Sequence, residues 1–189
     1  ALPIFMFNYN YRYDLLAVAA SELAPTALMY DATGTGVLFA RSDWSNSASW
    51  MHTVAGPYDQ SHAHQDQGSF SFYKGGWLTL TSNAWSRNGI EQGVEVHNVL
   101  RFGALRQRNS ISTKTVSDTA GTLTVSEDLS PAYAGTQVAG WRRNITYNRA
   151  AHQIEVHDVC QSSVAPVWQL HTPVAPVRQA DGSYLAGRL

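Results

Sequence analysis

The chain has 189 residues, 44% of them hydrophobic and only 14% charged, with a formal net charge of −1 at pH 7. That length suits one sizeable core, and the near-zero charge excludes a global field that would gather nucleic acid or an anionic membrane surface. A single cysteine, Cys160, excludes an intrachain disulfide and a cysteine-based zinc site, and no apolar run reaches the about 18 residues of a membrane-spanning helix.

The first residues, Ala1-Leu2-Pro3-Ile4-Phe5, lack the charged start and long apolar core of an intact signal peptide, so a processed or fragmentary beginning is expected. From Tyr13 to Leu23 the spacing predicts a helix. Asp14 caps it, Leu15, Leu16, Val18 and Ala19 give an apolar face, and Pro25 stops it. Residues 1–25 are therefore read as a helical tail of something preceding, and 26–189 as a β domain, truncated at its C-terminus, where Tyr184–Leu189 reads as a strand in progress.

Beyond Pro25 the period drops to two. Strands are expected at 36–41, 48–54, 93–102, 110–116, 122–126, 138–148, 153–159 and 167–172. Phe70, Phe72 and the run 77–80 form a hairpin around Lys74-Gly75-Gly76. The fold class is mainly β, an antiparallel β-sandwich with a short helical N-terminal segment. Cys160 reads as a small buried hydrophobe. His52, His152 and His171 read as strand-face or core histidines, and the tryptophans mostly as core.

Chemistry concentrates in His62-Ala63-His64-Gln65-Asp66-Gln67-Gly68-Ser69-Phe70. In an extended segment residues i and i+2 share a face, so His62, His64 and Asp66 can enter one cleft as bases, acids or metal ligands. Asp66 suits either orienting an imidazole or closing a turn before Gly68. Trp85 and Arg87 sit in the polar loop after the hairpin. With Tyr58 they are candidates for binding substrate, by ring stacking and by an arginine fork on a carboxylate. Arg142 and Arg143 are adjacent in a strand, so they alternate faces.

The ordered series Arg41-Ser42-Asp43-Trp44, His62 to Phe70, Val96-His97-Asn98-Val99, Asp128 to Tyr133, Trp141-Arg142-Arg143 and Val156-His157-Asp158 resembles the β-sheet domain of the heparinase II/III-like polysaccharide lyases. The resemblance covers about Leu38 to Thr172. It implies a β-sandwich packed in the intact enzyme against an N-terminal (α/α) toroid, of which the helical start would be the tail. The activity implied is β-elimination on a uronic-acid polysaccharide such as alginate or a glycosaminoglycan, in a periplasmic or secreted enzyme. Most catalytic residues of such an enzyme lie in the toroid, outside this chain. Carried over by position, His62 is the catalytic auxiliary, while His64 and His97 are ligands of a structural zinc. The third ligand position falls on Ser82, a poor ligand for zinc, which weighs against the metal. Two other readings stand beside this one: a non-catalytic carbohydrate-binding or structural sandwich, and a zinc-dependent hydrolase, which would need a third strong ligand.

Overall fold

A computed structural model describes residues 27–59, 63–81, 92–119 and 121–187. The expected helix at 13–23 lies outside these residues. Among the described residues fifteen strands follow one another: β1 (Met29–Ala32), β2 (Val37–Arg41), β3 (Ser49–Val54), β4 (Pro57–Tyr58), β5 (Phe70–Lys74), β6 (Trp77–Thr79), β7 (Leu100–Phe102), β8 (Ser110–Ile111), β9 (Thr113–Thr119), β10 (Thr122–Asp128), β11 (Val138–Asn148), β12 (Gln153–Ser162), β13 (Pro166–Trp168), β14 (Val177–Arg178) and β15 (Tyr184–Leu185). Two antiparallel sheets dominate, ordered β1-β2-β3-β5-β6 and β12-β11-β10-β9. No helix among the described residues is long and apolar enough to cross a membrane.

The alternation read from the sequence is the packing scheme. Leu38, Met51, Phe70 and Phe72 of the first sheet meet Leu123, Val125, Ile145 and Tyr147 of the second, each buried. A second cluster gathers Val99, Phe102, Leu129, Tyr133 and Trp141 beside the first. Burying a side chain of this size is worth about 1.5–3 kcal/mol, so these two clusters hold the sheets face to face.

One interior row is ionic rather than apolar. Lys114, Glu127, Arg143 and Asp158 stand opposite one another across β9, β10, β11 and β12. The fully buried Arg143 donates from Nε and Nη2 to the two Asp158 oxygens at 2.9 and 2.8 Å. Its Nη1 donates to the carbonyls of Gly68 and Asn98 at 2.5 and 2.7 Å. A buried guanidinium is tolerated because nearly all its donors are used.

Several expected strands are cut short, each for a visible reason. The run 93–102 becomes a single 3-10 turn, Val94–Val96, and then β7. Asn98 is spent instead on cross-links. Its Nδ2 donates to Phe70 O and Thr79 Oγ1, and its Oδ1 accepts from His171 N. The run 110–116 breaks at buried Ser112, whose N–H bonds Gly56 O. β8 therefore joins β4 while β9 joins the large sheet. Of the run 167–172 only Val167 and Trp168 are strand, the end of β13, which pairs with β7. His152 sits in the β11–β12 turn with φ of 50°, and His171 in a loop on Asn98, so neither is a strand-face residue; His52 is one, beside Phe39. Trp44 and Trp77 are 49% and 41% exposed, against the expectation that they would be core. Cys160 is half-buried against the second cluster.

Candidate functional site

The segment entering β5 is held by amides on both sides. Gln67 N–H donates to Gln107 Oε1 at 2.8 Å, and Gln107 Nε2 donates back to Gln67 O at 2.9 Å. One side chain thus imitates a paired strand. Gly68 N–H bonds Val54 O, and Gly68 has φ of 85°. A Cβ there would sit 2.5 Å from Leu129 Cδ1 and 2.9 Å from the Trp141 ring. Only glycine meets both the dihedral and the space.

This anchoring presents one wall of a cleft of about 290 Å³, lined among others by Thr35, Val37, Tyr58, Asp59, His64 and Asp66. Three of the residues expected in a site, Tyr58, His64 and Asp66, therefore share one concavity. His62, Ser82, Trp85 and Arg87 lie outside the described residues.

His97 stands behind His64, with His64 Nδ1 and His97 Nε2 3.2 Å apart. The neighbours fix the protons. Thr81 Oγ1 gives its hydrogen to Val96 O at 2.7 Å, so it accepts from His97 Nδ1 at 3.1 Å. His97 is then the Nδ1–H tautomer, its Nε2 accepts from His64 Nδ1–H, and Nε2 is the basic nitrogen of His64. Burial, with the neighbouring imidazoles of His64 and His171 adding to it, pushes His97 down to about 3. Burial also lowers His64, so both rings are neutral at pH 7. Asp66 is pushed up to about 6 by burial, only partly offset by its own backbone N–H. Its carbonyl accepts from Ser69 N–H, which closes the turn before Gly68.

A neutral imidazole, a carboxyl pushed up to about 6 and a phenol line one cleft, and side chains of these kinds can give and take protons. They fit a metal less well. The 3.2 Å nitrogen separation suits two corners of a zinc tetrahedron, but zinc takes at least three protein ligands. Among the described residues no three His, Cys, Asp or Glu side chains gather closely enough to hold an ion. Thr81 Oγ1 bonds Nδ1 of His97, the nitrogen not facing His64.

The residues that sequence reasoning passed over are mostly amides and hydroxyls: Gln67, Gln107 and Thr81. Nothing in their local pattern distinguishes them from surface polar groups.

Among solved structures the chain is similar to heparan sulfate lyase HepC from Pedobacter heparinus, with 19% identity, a TM-score of 0.68, and coverage of 94% of this chain and 29% of that one. It is also similar to a heparinase III, with 17% identity, a TM-score of 0.64, and coverage of 86% of this chain and 26% of that one. Its fold resembles the C-terminal domain of these lyases. The chain thus spans less than a third of either neighbour. No protein-family profile matches the sequence, and no curated protein matches it.

Proposed function

We propose that this chain is the β-sandwich part of a polysaccharide lyase that cleaves a uronic-acid polysaccharide, heparan sulfate being the first candidate, by β-elimination. The observation that carries this reading is the meeting of Tyr58, His64 and Asp66 in one cleft, on a fold like the heparan sulfate lyases. In such a reaction a base takes the proton α to the uronate carboxylate, the carboxylate charge is neutralised, and an acid protonates the departing oxygen. Enolate charge must be met by groups already in place. In this reading His64, held by His97 and Thr81, keeps the wall in register, and His62 faces the sugar as auxiliary. Tyr58, Trp85 and Arg87 bind substrate. The remaining catalytic groups come from a preceding toroid domain of the same enzyme, and the setting is periplasmic or extracellular. The His64–His97 hydrogen bond anchors this wall to the loop behind it.

The test is an ultraviolet absorbance assay for the unsaturated uronate product, run on the complete enzyme with heparan sulfate and other polyuronates. Turnover on at least one, reduced by His62→Ala, is the expected result. Silence on every polyuronate refutes the lyase reading in favour of a non-catalytic carbohydrate-binding sandwich.

A further inference from the structure

The cleft has two walls, and the bonds around His64 and His97 support one of them. The other wall is built from the turn between β1 and β2, with Gly34, Thr35 and Val37, and from the segment leaving β3, with Val54, Pro57 and Tyr58. The two pieces touch backbone to backbone. A Cβ on Gly36 would stand 2.4 Å from Gly56 Cα, and one on Gly56 would stand 2.3 Å from Gly36 Cα. Only residues without a side chain allow this approach. Ala55 N–H then donates to Gly36 O at 2.9 Å.

One side chain fastens both pieces from inside the sandwich. Lys114 leaves β9 in register with Glu127, yet its Nζ donates to Gly36 O and Ala55 O, each at 3.1 Å, and lies 3.0 Å from Asp31 Oδ1. Three oxygens thus surround the three hydrogens of the ammonium. The lysine side chain is only 6% exposed. Asp31 Oδ1 is buried and has no other partner among the described residues, so this cation is what offsets its charge. All three oxygens belong to the wall or to the strand feeding it. Asp31 lies in β1, Gly36 follows Thr35, and Ala55 comes three residues before Tyr58. From Ala55 the chain stays bonded as far as the phenol: Gly56 O accepts from Ser112 N–H, and Tyr58 pairs with Ser110 of β8. A shift at Ala55 is therefore carried to Tyr58.

We infer, resting on the lyase reading for the substrate, that Lys114 is a positioning residue of the cleft. Its ammonium sets the spacing between the Thr35 turn and the Tyr58 segment, and it acts on the glycan through Tyr58. Packing alone does not account for a lysine at this place. Methionine would fill much the same space without the cost of taking an ammonium out of water. What methionine lacks is donors for two carbonyls on different pieces of the wall. Small displacements of groups that hold a substrate are costly to turnover, so a support fixed by three short polar contacts suits a wall that carries such a group.

The double variant Lys114→Met/Asp31→Asn tests this without leaving a buried charge unpaired. In the full chain, proton NMR should show the Thr35 methyl and Tyr58 ring signals displaced, and the His97 and Trp141 ring signals in place. In the complete enzyme cleaving heparan sulfate, or whichever polyuronate it turns over, the variant should raise KM about fivefold and leave kcat within about twofold, because Tyr58 serves binding. Tyr58→Ala should also raise KM, and adding it to the double variant should raise KM no further than Tyr58→Ala alone. A lysine with a merely structural duty would instead lower kcat at constant KM, through a smaller folded fraction, and that result overturns the proposal. Unmoved Thr35 and Tyr58 signals overturn it, as does a KM that multiplies in the triple variant. If the wild-type enzyme cleaves no polyuronate, the lyase reading falls, and the NMR comparison still decides whether Lys114 sets this wall.

Discussion

Glu127 gives the sharpest test of the interior as described. Its side chain is almost wholly buried and points inward with Leu123 and Val125. Thr53 Oγ1 lies 2.7 Å from Glu127 Oε1 and 3.1 Å from Ser69 O, yet a hydroxyl has one hydrogen to give. The conflict disappears if Glu127 is protonated, donating to Thr53, which donates to Ser69 O. The nearby cations do not prevent this. Arg143 is committed to Asp158 and two carbonyls, and Lys114 donates to Gly36 O and Ala55 O. Burial accordingly pushes the carboxyl up to about 7 from its ordinary 4.5. The folded protein thus holds a proton that the unfolded chain releases above pH 4.5. This contribution to stability is full below pH 4.5 and falls as pH rises through 7. At about 1.4 kcal/mol per pH unit the loss comes to about 3 kcal/mol. Glu127→Gln cannot titrate and should remove that slope, whatever constant offset its second amide hydrogen introduces. Urea unfolding followed by tryptophan fluorescence from pH 4.5 to 8 reads it. His52, His64, His97 and His171, all lowered by burial, act oppositely, destabilising as pH falls below 6.5. They are common to both proteins and cancel in the difference. Parallel curves for wild type and variant would refute a neutral Glu127.

Gly68→Ala should lower stability by more than about 2 kcal/mol, because the new methyl meets Leu129 and Trp141 at a positive φ, whereas Gly34→Ala, with nothing within 4 Å, should change little; equal melting temperatures for the two would contradict the described packing. Arg143→Lys should cost about 3–5 kcal/mol in urea unfolding, since an ammonium cannot reach Asp158, Gly68 and Asn98 together. The exposed Arg142→Lys should stay within about 0.5 kcal/mol. Long-range proton–nitrogen NMR should show His97 as the Nδ1–H tautomer, with Thr81→Val costing about 1–3 kcal/mol for the stranded donor; finding Nε2–H instead would reverse the hydrogen-bond order at the site.

Strand alternation made most of this fold legible. The Lys74-Gly75-Gly76 hairpin and the strands expected from period-two spacing at 36–41, 48–54, 122–126, 138–148 and 153–159 are found as β5–β6, β2, β3, β10, β11 and β12, with β10 and β12 running two and three residues further. The ionic row was also within reach. In Leu123-Thr124-Val125-Ser126-Glu127 the glutamate continues the inward phase, and Lys114 precedes Val116 at the same spacing. What could not be read was which polar group a buried polar group would meet, since that depends on contacts between residues 74 to 75 positions apart, such as Thr53 with Glu127 and Gly68 with Arg143. The run 93–102 misled because its valines carry strand propensity while Asn98 binds sideways to β5, β6 and His171. Of the candidate site, Tyr58, His64 and Asp66 were legible as chemistry, but Thr81 and Gln107 look like any surface hydroxyl and amide.

Four of the motif fragments that suggested a lyase meet at one place, and it is not the mouth of the cleft. Gly68 packs on Trp141, Arg143 ties Gly68 to Asn98, and Asp158 receives both Arg143 and the Trp141 indole N–H at 2.8 Å. Five residues spread over four stretches of sequence form a single buried joint beneath His64 and His97. Each is explained by packing and hydrogen bonding alone, so a sandwich with no catalytic duty would need them equally. The fragments therefore support the fold, and the case for chemistry rests on the groups the joint carries rather than on the joint. Such a joint still bears on catalysis. Positioning proton-transfer groups within fractions of an ångström requires a rigid support, and a guanidinium bonding two carbonyls across the sandwich supplies one. Arg143 is thus where stability and any activity should fail together, whereas a change at Tyr58 should affect activity and leave the fold intact.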